Sequence, residues 1–488
     1  MKLLIKIYFV AVLAFMSVNA YAQVNVSSFT YFQSLVTGVS GFDILLTSNI
    51  VFTSNLGTSQ SGTINGGIST SYAIDGSSNT GFILNSSQLA ASNLIFENFS
   101  KTDNGTGGSV FDIIDSTLTL TNVIIQNSHG LTANFSNSWI NGGAVYANNS
   151  ILYLSGVTFS SNSAYVVSGW SVANGGAVYA NNSDLYLNDV TFLSNSAYTT
   201  SSWSGADGGA MYIENLSQAV FGGLTTVFEG NYSRGVIFGS HGGAIYADNS
   251  KLDFNAANTA FGNSAVIMID RGDGDPSWGQ AFGGAVYGKN SVITFANSVS
   301  FSTSSAIAGN RENFYARGGA IYVENSTLTF SAAAMFDTSS AAISYLIGDI
   351  FSGDASGGAL YADNSIVNFA SVTFNNSRAD AQVPSDAYGA FGGALYVTGN
   401  ASLINFNGPA YFTFNQAISS EGAVSNGGAI YSANGAQINF LNESIFIGNN
   451  TFGSGGALYS NNADAVFNGL SVFDGNTAQN FGGAIYNS

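Results

Sequence analysis

The hydrophobic and polar positions of this chain repeat on two scales. Locally, apolar residues alternate with tolerant ones: Leu185 and Leu187, Leu252 and Phe254, Ile293 and Phe295, Leu328 and Phe330, Val367 and Phe369, and Ile438 and Phe440 hold one phase. The other phase accepts Asp184, Lys251, Asp253, Thr327, Asn368 and Gln437. This pattern predicts strands with one buried and one wet face. On the longer scale, Gly-Gly-Ala-aliphatic-Tyr occurs eleven times, beginning at Gly142, Gly175, Gly208, Gly242, Gly283, Gly318, Gly357, Gly392, Gly427, Gly455 and Gly482. The spacings are 33, 33, 34, 41, 35, 39, 35, 35, 28 and 27 residues. A degenerate copy is read at Gly107-Gly108-Ser109-Val110-Phe111, and another at Gly66. A third segment places Asn three residues after Phe, giving Asn162, Asn195, Asn231, Asn415, Asn449 and Asn476. Ser304 and Ser339 take that place after Phe301 and Phe336, and Phe261 reads as a shortened form ending at Asn263.

A repeat as short as 27 residues, with three short strands, cannot bury its own apolar phase. Stacking one coil on the next pairs each strand with its counterpart and turns every apolar phase toward one interior. The prediction is an all-β parallel β-helix of about a dozen coils, a rod roughly 60 Å long at the inter-strand spacing. A β-propeller also repeats short strands, but its blades need about 40–50 residues each. The Gly pairs suit corners with positive φ or close backbone approach. The recurring Asn suits a turn where stacked amides satisfy buried backbone groups.

Composition narrows the function classes. With no Cys, disulfides, thiolate metal sites and cysteine nucleophiles are excluded. Ten basic residues against 28 acidic ones disfavour binding to nucleic acid. Collagen is excluded because the 59 Gly lack a three-residue period and there are only 3 Pro. Met1 to Ala22 reads as a signal peptide: Lys2 and Lys6 precede the apolar run Ile7 to Val18, and Ala20-Tyr21-Ala22 forms the cleavage pattern. The mature chain is expected to open at Gln23, with no transmembrane segment. Residues 23–104 read as an N-terminal cap and first irregular coils, and 105–488 as the regular repeat.

Paired Gly-Gly-Ala-Ile and Phe-x-x-Asn motifs, as at Gly242-Gly243-Ala244-Ile245 and Phe159-Ser160-Ser161-Asn162, resemble the passenger region of the polymorphic outer membrane proteins, the chlamydial-type autotransporter adhesins. The resemblance covers Asn65 to Ser488. It implies a right-handed β-helix, Sec export, display on the outer-membrane surface of a Gram-negative bacterium, and adhesion to a host or neighbouring-cell protein or glycan. Two features depart from the family: this chain has no Cys, and no outer-membrane barrel pattern precedes its end at Ser488. The expectation is either a fragment of a longer autotransporter or a stand-alone secreted relative.

Repeat length varies between the Asn of Phe-x-x-Asn and the next Gly-Gly, so the extra residues are expected to project as loops from one edge. Ser264 to Ala281 is the longest such loop; Asn450 to Gly453 and Thr477 to Asn480 are minimal. All four Trp (Trp139, Trp170, Trp203, Trp278) and all five Arg (Arg234, Arg271, Arg311, Arg317, Arg378) fall there. These residue types are enriched in interface hot spots, so with Asp273 of the Arg271-Gly272-Asp273 tripeptide they form the candidate binding edge. The alternative is that Trp packs the loops onto the flank and Arg solvates them. The position before each Gly-Gly, which holds Asp207, His241 and Arg317 among others, reads as a free surface position. No cofactor or metal is expected. An enzymatic reading, as a polysaccharide lyase or glycosidase, finds no clustered carboxylates; a purely structural surface rod is the remaining alternative.

Overall fold

The computed structural model describes residues 23–67, 72–102, 107–132, 139–167, 169–201, 203–236, 239–269, 279–309, 314–344, 353–381, 388–420 and 423–488. The expected signal peptide lies outside them.

The chain winds as a parallel β-helix. Every inter-strand pairing in the four sheets is parallel and joins one coil to the next. The coil from Val178 to Asp207 shows the plan. Val178–Asn181 belongs to a 14-stranded sheet, here called the Gly-corner sheet. Asp184–Leu193 follows in a 23-stranded body sheet that bends at Asp189, whose φ is 53°. Asn122, Gly156 and Asp189 stack at that bend, all with positive φ, so one long strand covers two sides of the coil. These are the three strands that the repeat predicts.

Two more strands occupy the segments read as loops. Ser196–Thr199 belongs to a 12-stranded sheet and Trp203–Asp207 to a 9-stranded one. They run out from the body and back, forming a fin. The main core draws chiefly on the body and Gly-corner sheets, with columns such as Phe159, Phe192, Phe228, Phe261 and Phe301 stacked 4.8–4.9 Å apart. The fin has its own small-residue cores: Ala164, Val166, Ala173, Ala197 and Ala206 in one, and Ala306, Ala308, Ala316, Ala341 and Ala355 among those of the other. The expected projecting loops are thus replaced over most of their length by ladders. Alternating Ala and polar residues bury enough to pair two strands, but their short side chains give a weak hydrophobic signal.

Fin and body separate at a pinch made by the Gly pair. The first Gly is left-handed, with φ of 63° at Gly175 and 64° at Gly208. The second permits contact: a Cβ on Gly176 would collide with the Gly209 carbonyl and the Ser196 backbone. Opposite this corner runs the Asn ladder. Asn162 Nδ2 donates to the Ile125 carbonyl at 2.9 Å and to Asn195 Oδ1 at 3.1 Å, while the Asn162 backbone N–H donates to the same Oδ1 at 3.0 Å. Asn195 repeats this toward Asn231. A second ladder, of Ser, closes the turn after each Tyr: the Ser150 N–H donates to Ser183 Oγ and the Ser183 N–H to Ser217 Oγ, both at 3.0 Å. The Asn before these serines, such as Asn149 and Asn182, is left-handed, a conformation Asn tolerates.

The register moves three sequence assignments. Phe111 pairs with Val145 and Asp112 with Tyr146, so the degenerate copy is Gly108 to Asp112, one residue later than read. Gly66 continues the Asn65–Ser92 pairing and stands against Asn93 at the body bend, not at a Gly-Gly corner. Ser264, fully buried, occupies the ladder position opposite Ser304, while Asn263 is exposed with φ of 47°; Phe261 therefore carries a full-length motif ending in Ser. Spacing alone cannot separate these options, because the ladder position is defined by the coil above it.

At the N-terminal end, helix Phe29–Gly38 lies across the first coils. Its buried Phe29, Phe32 and Val36 follow helical spacing and meet Phe52 and Phe82. It covers apolar surface of the first described coils and joins the main core.

Candidate functional site

The returning fin strands carry the described tryptophans. Trp139 and Trp170 open their strands and are 61% and 54% exposed. Trp170 is in register with Trp203 on the next coil, and Trp139 with Val172, two residues further along the Trp170 strand. Period two then places Trp170, Val172 and Asn174 on one face of the returning sheet.

That face turns toward the tyrosines of the Gly-Gly-Ala-aliphatic-Tyr units. Tyr146, Tyr179, Tyr212, Tyr246, Tyr287, Tyr322, Tyr361, Tyr396, Tyr431, Tyr459 and Tyr486 form one continuous stack with centroids 4.5–5.3 Å apart. Burial pushes the phenols of Tyr212, Tyr287 and Tyr361 far above their usual range.

The position before Gly-Gly faces this column and is not free. Asn174 Nδ2 donates to Asn141 Oδ1 at 2.9 Å. His241 Nδ1 lies 2.7 Å from Asp207 Oδ1, with both side chains 16% exposed. Phe282 stacks on Tyr322 at 4.6 Å. The Arg317 guanidinium carbon stands 5.4, 4.6 and 5.1 Å from the ring centroids of Phe282, Tyr315 and Tyr361. This corrects the reading of Arg317 as an edge residue: its side chain packs inward among aromatic faces, where cation–π attraction offsets part of its desolvation. Burial raises the Asp354 carboxyl and Arg317 works against that rise.

Two further arginines, Arg234 and Arg378, lie in outgoing fin strands. Arg234 lies in the outgoing strand Tyr232–Gly235 and is half-buried. Arg378 Nη2 pairs with Asp380 Oδ2 at 2.8 Å within its own strand. Arg271, Asp273, Trp278 and Arg311 lie outside the described residues, as do the outer turns of most fin segments. The side chain of Trp203 is likewise not described. Among the described residues, no three of His, Cys, Asp and Glu come together to hold a metal ion, and no helix is long and apolar enough to cross a membrane.

Two stretches give the comparison with known families. Residues 225–248 and 471–488 match the family model described as the Chlamydia polymorphic membrane protein repeat. Each runs from a body strand through the Phe-x-x-Asn ladder position to a Gly-Gly-Ala-Ile corner. These two stretches carry the polymorphic membrane protein repeat. In family terms, the two motifs are the two sides of the pinch: Asn415 and Asn449 hold one side, and Gly427-Gly428 packs on the other against Asn450. Polymorphic membrane proteins are surface-exposed proteins. No curated protein and no solved structure matches the chain.

Proposed function

We propose that this chain is an exported, surface-associated passenger rod with an adhesin-like role, recognising a protein or glycan along its fin. The observation that carries this reading is the fin itself. It lifts the segments of variable length away from the body on paired strands and exposes Trp139 and Trp170 beside the outer turns. A rigid scaffold presenting variable turns and exposed indoles suits recognition, because indoles supply large contact area at low entropic cost. The repeat family supports placement at the cell surface, reached by Sec export through Met1 to Ala22. The reading is of a binding protein: among the described residues, the His–carboxylate pair His241–Asp207 is packed beside Tyr287 at 4.9 Å and serves the aromatic column.

Combined Trp139→Ala and Trp170→Ala replacement is expected to reduce binding to epithelial cells or a glycan array at least tenfold, with an unchanged β-rich circular dichroism spectrum. Binding equal to that of the parent chain would sink the reading.

A further inference from the structure

The outgoing sheet of the fin carries a local aromatic run that ends in an arginine. Ser163–Val166, Ser196–Thr199 and Tyr232–Gly235 lie side by side in this sheet. Ala164, Val166 and Ala197 turn inward to the fin core. Period two therefore turns Tyr165, Tyr198, Tyr232 and Arg234 to the outer face. Register sets Tyr165 beside Tyr198, Tyr198 beside Arg234 and Arg234 beside Ile267. The Tyr165 and Tyr198 rings stack with centroids 4.1 Å apart, and Tyr232 lies 6.4 Å from Tyr198. Rings stacked in this way turn their edges and hydroxyls outward. Burial, with Tyr165 and Tyr232 close by, holds the Tyr198 phenol above its usual range, so it remains a neutral donor.

Arg234 is the cation of this face. Lys101, Lys251 and Arg378 each stand against an aspartate. Among the described residues no carboxylate or other acceptor pairs with Arg234, and its Nε is buried without a partner. The residue is half-buried, so its charge is partly withdrawn from water and attracts an anion more strongly than a fully solvated one would. The chain has 28 acidic residues and ten basic ones, which makes a guanidinium without a carboxylate uncommon here.

We propose that this face binds an acidic sugar, a pyranose that carries a carboxylate. The terminal nitrogens of Arg234 take the carboxylate in their planar fork. The Tyr198 and Tyr232 hydroxyls, each able to donate and accept, meet the ring hydroxyls. Ile267 offers apolar surface to the ring. A sugar suits the face better than an acidic peptide, because these strands are paired on both sides and present no open edge for a peptide backbone. The proposal rests on the fin as a recognition surface, but it uses the outgoing sheet, whereas Trp139 and Trp170 belong to the returning one.

The test titrates the mature chain with glucuronate, galacturonate and N-acetylneuraminate, followed by saturation-transfer NMR, with methyl glucoside and polyglutamate as controls. At least one acidic sugar is expected to saturate, more weakly as salt rises. Arg234→Gln should weaken it at least tenfold, Arg234→Lys by less, and Tyr198→Phe about threefold. Combined Trp139→Ala and Trp170→Ala replacement should leave it unchanged, so loss of cell binding in that variant with sugar binding intact separates the two sites. The proposal is overturned if no acidic sugar saturates up to about 10 mM, if methyl glucoside or polyglutamate binds as well, or if folded Arg234→Gln protein binds like the parent.

Discussion

Single residues in this molecule act through the coil next door. Asn195 satisfies the Asn162 N–H, the Asn162 amide and the Phe159 carbonyl at once, all fully buried. Asn195→Ala leaves the Asn162 N–H and the Phe159 carbonyl without these partners at about 1–3 kcal/mol each, so stability read from urea unfolding should fall by at least about 2 kcal/mol. Asn195→Ser should cost less, because Ser264, Ser304 and Ser339 already occupy this column. A pH effect follows from His129, whose pKa is lowered from 6.5 by burial and whose Nδ1 lies 2.8 Å from Ser163 Oγ. Below 6.5 the unfolded chain binds more protons than the folded one at this site. Its stabilising contribution is therefore complete above that value and is lost as pH falls toward the folded pKa. His129→Gln should flatten the dependence of the urea midpoint on pH between about 7 and 5. Residue-level legibility was uneven. The Gly pairs and the ladder Asn stand out because they recur. Arg317 does not: a single Arg in a variable column looks like surface until Phe282, Tyr315 and Tyr361 are placed around it.

At the scale of elements, body and fin differ in how much they bury. Body strands contribute Phe, Leu and Ile to the main core; fin strands contribute mostly Ala. At about 25 cal/mol per Å² of apolar area, the fin gains far less per strand. Amide exchange followed by mass spectrometry should therefore show Ser340–Ser344 and Gly353–Ser356 opening before Thr327–Asp337 of the same coil. Equal protection would contradict the separation into two cores. This difference also explains what the sequence conceals. The body alternates large apolar residues and is legible as strands. The fin alternates Ala with Ser, Thr and Asp, and its length changes from coil to coil, so periodicity gives it no strong signal. Helix Phe29–Gly38 was hidden by its shortness, since three spaced apolar residues within an irregular region set no clear period.

At the scale of the whole molecule, the two ends are unlike. The helix covers the first described coils, while Leu470, Phe481 and Ile485 are exposed beside strand edges in the last described coil. Such edges template pairing with another chain. A polypeptide ending at Ser488 should associate with rising concentration, and Leu470→Lys with Val472→Lys should return it to a monomer in sedimentation analysis. Association unaffected by these charges would place the contact elsewhere.

The pinch has a consequence for inheritance. Each fin segment leaves and re-enters the coil through the same tight junction, so residues added between its two strands change neither the register nor the rise of the stack. Spacings of 27 and 41 residues coexist in one rod for this reason. Insertions there are silent to the fold, and a lineage can revise what the surface displays turn by turn without renegotiating the architecture that displays it.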